Sequence, residues 1–149
     1  MTKEEKQLLF IELCTRLPYG VKIKTSMGVG ILHSIDYIPD GAYLGVSING
    51  AVKLYFEYQD TKPHLRPMSS ITEEEFEKLK EYSGLKYEQL DLASFQNGTY
   101  KCLDFYLSEV PSDVVILVFD WLNAHHFDYR GLIPMGLALE APEGMYKTE

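Results

Sequence analysis

The order of hydrophobic periods along the chain predicts an α+β fold: an N-terminal helix, a small antiparallel meander or SH3-like barrel, and a helical C-terminal half. Three observations lead there. Apolar residues recur at helical spacing up to residue 17, the period changes to two between residues 21 and 58, and helical spacing returns at residues 73–83 and 112–125. No repeat, linker or low-complexity tract interrupts the sequence, so residues 1–149 are expected to form a single domain.

The first helix, residues 2–17, has readable ends. Thr2 and Glu5 have the spacing of a capping box, and Pro18 with Gly20 stops the helix. Leu9, Phe10, Leu13, Cys14 and Leu17 fall on one side and should face a core, opposite Glu4, Glu12 and Thr15. Strands are expected at about 21–25, 31–38, 43–48 and 52–58. Val21 and Ile23 alternate with Lys22 and Lys24, the pattern of a half-buried strand. Pro39-Asp40-Gly41 has turn chemistry throughout, and Asn49-Gly50 is the strongest hairpin signal in the chain. A two-residue loop there would place Lys53 opposite Val46. A three-residue loop, Ile48-Asn49-Gly50, instead pairs Val46 with Val52 and Leu44 with Leu54, and keeps the apolar faces together. Pro63 and Pro67 restrict residues 62–66 to an edge or an irregular connection.

Thr72 and Glu75 form a second capping box, Ile71 and Phe76 have the spacing of a hydrophobic staple, and Gly84 terminates the helix at 73–83. Phe76 and Leu79 supply only a narrow stripe, so this helix should lie at the surface. Residues 85–98 read as irregular with one helical turn, and residues 101–107 as a strand. The helix at 112–125 carries Val114, Leu117, Val118, Trp121 and Leu122 on one side and Val115, Ile116 and Phe119 on the other, which predicts burial nearly all round. Asp128 is placed to cap a short helix before Pro134.

Composition narrows the function classes. The net charge is −8, made of +1 over residues 1–70 and −9 over residues 71–149, so the second half would repel a polyanion and suit a basic partner. The longest apolar run, Val114 to Phe119, is far short of the roughly 20 residues that span a bilayer, and no leader with an apolar segment is visible; a cytoplasmic protein with no membrane role is expected. Cys14 and Cys102 are then expected to be reduced thiols in the core.

The densest cluster of chemically capable side chains contains His125, His126, Asp128, Tyr129 and Arg130, the residue types of acid–base catalysis. On a helix the adjacent histidine rings point about 100° apart, a poor zinc pair, and no metal or cofactor is expected. The alternative for these residues is structural, with one histidine against Trp121, one solvated, and Asp128 as a cap. Met27-Gly28-Val29-Gly30 lacks the third glycine and the strand-to-helix context of a dinucleotide loop, and reads as a turn. Lys62, His64 and Arg66 alternate along an extended segment as a small basic strip, a possible contact for nucleic acid that the surrounding acidity disfavours.

Three stretches carry a resemblance: residues 1–21, residues 62–75, and residues 119–133 with 136–142. On these the chain resembles a family of small uncharacterised proteins met in gut-type Bacteroidetes genomes, their phages and mobile elements. The resemblance implies a bacterial or phage cytoplasmic origin and supplies no mechanism. Pro134 departs from the charged residues that similar sequences carry there.

These readings favour a non-enzymatic protein-interaction module, phage or mobile-element related, with a basic protein as one partner type to consider. The alternatives are a small hydrolase built on His125, His126 and Asp128, and weak nucleic-acid contact through Lys62, His64 and Arg66. Partner and oligomeric state are not legible.

Overall fold

The computed structural model describes residues 1–39, 41–50, 52–86, 91–97 and 107–146. The fold is α+β, with an N-terminal helix, a mostly antiparallel six-stranded sheet and further helices. The chain divides into two compact units, one made of Met1–Leu65 with Leu132–Glu143 and the other of Arg66–Gly131 with Gly144–Glu149.

The first unit holds α1 (Lys3–Arg16) and strands β1 (Lys22–Thr25), β2 (Gly28–Ile38), β3 (Gly41–Ile48), β4 (Val52–Glu57), β5 (Lys62–Leu65) and β6 (Leu139–Glu140). The strand order is β4-β3-β2-β1-β5-β6, so the ladder among the described residues is an open meander with β4 and β6 at its two ends. Thr2 and Glu5 do form the capping box: the Glu5 N–H donates to Thr2 Oγ1 at 3.1 Å and the Thr2 N–H to Glu5 Oε2 at 2.8 Å. The buried face of α1 differs from the expected one. It consists of Leu9, Glu12, Leu13 and Arg16, while Cys14 is exposed. Rotating the helix this way is possible because the Arg16 Nε donates to Glu12 Oε1 at 2.6 Å, so the two charges enter the interior as a neutralised pair.

The hairpin between β3 and β4 keeps the expected parity but not the expected register. Ile48 pairs with Val52, Val46 with Leu54 and Leu44 with Phe56, and Lys53 lies opposite Ser47. Asn49 and Gly50 both take positive φ, 56° and 70°, which lets β3 run on through Ile48 before the chain turns. The pairing thus shifts by two residues relative to the expected loop, and an even shift leaves the apolar face intact. Nor is residues 62–66 an edge. β5 pairs antiparallel with β1 at Lys62 and Pro63, and parallel with β6 at His64 and Leu65. Its two neighbours register on different residues, so the proline withdraws one donor without breaking either ladder.

The core of this unit contains Leu9, Leu13, Val21, Ile23, Leu32, Leu44, Val46 and Leu65, together with Leu132, Leu137 and Ala138. Gly30 is part of this packing. A Cβ there would collide with the Ser47 carbonyl oxygen and crowd the Val46 and Ile48 side chains, so the second glycine of Met27-Gly28-Val29-Gly30 permits close strand approach.

The second unit holds α2 (Glu73–Ser83), α3 (Leu92–Gln96) and α4 (Ser112–Ala124). The capping box at Thr72 and Glu75 is formed, and Gly84 at φ 80° ends α2 with its N–H on the Lys80 carbonyl. The staple residues Ile71 and Phe76 lie buried in one cluster with Leu79, Phe95, Val118, Trp121, Leu122, Phe127 and Tyr129. α3 supplies the single turn expected within residues 85–98, capped by Asp91, which accepts from the Ser94 N–H at 2.9 Å. α4 is not buried all round: Val118, Trp121 and Leu122 are inside, but Ile116 is 67% exposed. One face packs against α2, Val115 and Phe119 pack at the margin of the same core, and Ile116 faces solvent. The short helix expected after Asp128 is replaced by turns from Tyr129 to Gly136. The strand expected at 101–107 falls almost wholly outside the described residues; Leu107, which is described, sits in a turn.

Candidate functional site

Strand pairing in the first unit assembles a lysine-rich surface. The side chains of directly opposed strand residues share one face of a sheet. Ile23, Gly30 and Pro63 point to the core, so their neighbours point outward. On that outer face Lys24 lies opposite Val29 on one side and opposite Lys62 on the other, and Lys22 lies opposite Ile31. Val29 and Ile31 are 41% and 40% exposed, and the hairpin tip adds Met27. The result is a patch of three lysines with exposed apolar side chains between them.

His64 reports the field of this patch. It is buried, and its pKa is lowered from the ordinary 6.5 by burial first and then by the charges of Lys24 and Lys22, against the opposing effect of a hydrogen bond with the Glu140 backbone. The ring is therefore neutral near pH 7. Lys24 and Lys62 face each other directly, an arrangement that disfavours the sheet by a few tenths to about 1 kcal/mol. Among the described residues neither lysine forms an ion pair. A local rule is broken here, and no ion pair among the described residues offsets it.

The expected basic strip is thus changed in composition. Lys62 is exposed, His64 is buried and neutral, and Arg66 has its charge committed elsewhere. Its guanidinium donates from Nη1 to Glu75 Oε2 at 2.7 Å and from Nη2 to Glu75 Oε1 at 2.8 Å, and it lies 4.1 Å from the Phe127 ring centre. Burial alone would raise the Glu75 pKa, but the Arg66 and Thr72 hydrogen bonds and the Arg66 charge outweigh it and bring the carboxyl below its ordinary value. Lys22 and Lys24 take the place of Arg66 in the positive surface. Their outward direction was readable from the alternation of residues 21–25, but their approach to Lys62 depends on the non-local pairing of β1 with β5.

The histidine cluster is organised around that same Arg66. The Arg66 N–H donates to the His126 carbonyl at 2.7 Å, and the Asp128 N–H donates to the Arg66 carbonyl at 2.8 Å. Neither interaction leaves a trace at the level of sequence. His125 stacks on Trp121 with ring centres 3.9 Å apart and has Nδ1 2.9 Å from the Trp121 carbonyl oxygen. His126 is buried rather than solvated, takes φ 65°, and stacks on Tyr146 at 3.7 Å. Asp128 is buried and caps no helix. The Tyr129 hydroxyl donates to Asn123 Oδ1 at 2.8 Å, and Arg130 Nη2 donates to the Tyr129 hydroxyl at 3.3 Å. The two histidine rings thus have separate aromatic partners, and Tyr129 closes the turn onto α4.

Desolvation by neighbouring parts of the chain raises the pKa of the Cys14 thiol even at its exposed position, which disfavours the thiolate a nucleophile needs; Cys102 lies outside the described residues. Among the described residues no group of three His, Cys, Asp or Glu is placed to hold a metal, and no helix is long and apolar enough to cross a membrane. A cleft of about 390 Å³ lies beside the first turns of α1, lined by Lys3, Lys6, Phe10, Tyr37 and Tyr58 among others, and by none of the histidine-cluster residues. No protein-family model, curated protein or solved structure matches this chain.

Proposed function

We propose that the chain is a non-enzymatic protein-interaction module and that the outer face of β1, β2 and β5 is its binding surface. One observation carries this reading: Lys24 and Lys62 oppose each other on adjacent strands, with Lys22, Val29 and Ile31 beside them. Interface cores combine exposed apolar groups with a charged rim. The lysines make the complement an acidic protein surface, in place of the basic partner suggested by the −9 charge of residues 71–149. The polar groups around His125 and His126, by contrast, are engaged in holding a turn, which supports binding over hydrolysis. The cytoplasmic, phage- or mobile-element-related setting implied by the sequence resemblance belongs to the same proposal.

The test is co-purification of tagged wild-type protein and a Lys24→Glu variant from bacterial lysate at low and at high salt. A reproducible protein partner that is weakened by salt and lost in the variant is the expected outcome. A partner retained equally by the variant, or none at all, would count against the proposal. A shift of DNA or RNA at low salt, lost in the same variant, would replace the protein partner by a nucleic acid.

A further inference from the structure

We propose that the chain forms a two-fold dimer by edge-to-edge pairing of β4, independently of the lysine face on β1, β2 and β5. Among the described residues β4 is the long outer strand of the sheet, whereas β6 at the other end has two residues. An outer strand presents unpaired backbone N–H and C=O groups to whatever strand can approach. Sequences that keep such edges apart use proline, a bulge, an inward-facing charge or edge lysines, and the one lysine of β4, Lys53, meets an opposite charge in the register below. Val52-Lys53-Leu54-Tyr55-Phe56-Glu57 contains no proline, and its ladder with β3 is unbroken from Tyr43↔Glu57 to Ile48↔Val52. Its core-side residues Leu54 and Phe56 are apolar and remain only half-buried, as expected of a strand with no second neighbour among the described residues.

The occupant follows from the strand's own sequence. Antiparallel pairing of two copies about a two-fold axis at Tyr55 places Lys53 opposite Glu57 of the second copy, and Glu57 opposite its Lys53. The same register puts Leu54 opposite Phe56 on the core side and Tyr55 opposite Tyr55 on the outer side. Lys53, Tyr55 and Glu57 are all exposed, Tyr55 at 56%. The Lys53 side chain lies on the outer face, over Gly45 of β3 with Nζ 5.5 Å from the Tyr55 ring centre, and would swing across β4 to meet the second copy's carboxylate. Every pair in this register is therefore matched in charge or in apolarity, a property that a one-residue slip destroys.

Sedimentation equilibrium of the wild-type chain and of three variants tests the register. The wild type is expected to approach twice the 17.1 kDa chain mass as concentration rises. Lys53→Glu creates two Glu–Glu pairs and Glu57→Lys two Lys–Lys pairs, and each is expected to weaken the dimer by about tenfold or more. The variant carrying both substitutions restores both ion pairs and should recover the wild-type dissociation constant within a few-fold. Thermal unfolding of each variant checks that the fold survives. A wild-type chain that stays monomeric at millimolar concentration would overturn the proposal. So would dimerisation indifferent to either single substitution, or a double substitution that fails to restore it.

Discussion

The two units solve the same backbone problem in opposite ways. In the sheet unit the ladder itself satisfies the backbone of the inner strands β3, β2 and β1, and outward side chains such as Lys24, Lys62 and Ile31 lie at the surface. In the helical unit the chain between α4 and Gly131 has no ladder beyond one bridge, Arg66↔Phe127. There the polar residues do the holding: Arg66 joins the segment to Glu75, and Tyr129 joins it to Asn123. The difference teaches that a cluster rich in histidine, aspartate and tyrosine can serve to support irregular backbone, while plain alternation in a strand leaves charged side chains on its outer face.

Charge follows the same division. The sheet unit has seven Lys/Arg against nine Asp/Glu, and the helical unit seven against thirteen, so the net charges are −2 and −6. The lysine patch therefore lies on the less acidic unit, which the split at residue 70 could only approximate.

The largest expected effect breaks the helical side of the comparison. Arg66→Ala leaves Glu75 without its partner and Phe127 without its covering cation, and should destabilise the protein by about 3 kcal/mol. Replacing both partners, Arg66→Met with Glu75→Leu, should recover part of that loss, because no charge is then left unpaired although the Thr72 N–H loses its Glu75 acceptor. Urea unfolding of the three proteins measures both.

A smaller effect concerns pH. The folded-state pKa of His64 is lowered, so just below pH 6.5 the unfolded chain binds more protons than the folded one. Stability should therefore fall as pH drops through 6.5 towards the lower folded value, and a His64→Gln variant should flatten that slope. The Glu75 contribution has the same sign but a lower window: it is present above the ordinary 4.5 and lost as pH falls through its depressed value. Unfolding midpoints measured between neutral and acidic pH separate the two.

The smallest effect sharpens the sheet side. Lys24→Glu turns a repulsive cross-strand pair into an attractive one with Lys62, and should raise stability by a few tenths to about 1 kcal/mol. Such a gain is the trade-off that the proposed binding role of this face predicts.

What the sequence made legible was local. Both capping boxes, the stop at Gly84 and the apolar parity of the β3–β4 hairpin need only neighbours within a few residues, and those were readable. The rotation of α1 was not, because Glu12 and Arg16 at i, i+4 look like a solvent-exposed ion pair until something covers them. The fate of the histidine cluster was not readable either: Arg66 lies some 60 residues from His126 and Asp128, and it acts on them through backbone groups that every residue carries. The lysine face was half legible, with its direction given by alternation and its assembly by strand order.

The most direct measurement compares partner affinity in two variants within one assay, Lys24→Glu and the Arg66→Met, Glu75→Leu pair. Lys24→Glu is expected to gain stability and to lose about tenfold or more in affinity. The paired variant is expected to bind as the wild type does. Wild-type affinity in Lys24→Glu, with loss of binding in the paired variant, would contradict it and move the functional site to the helical unit.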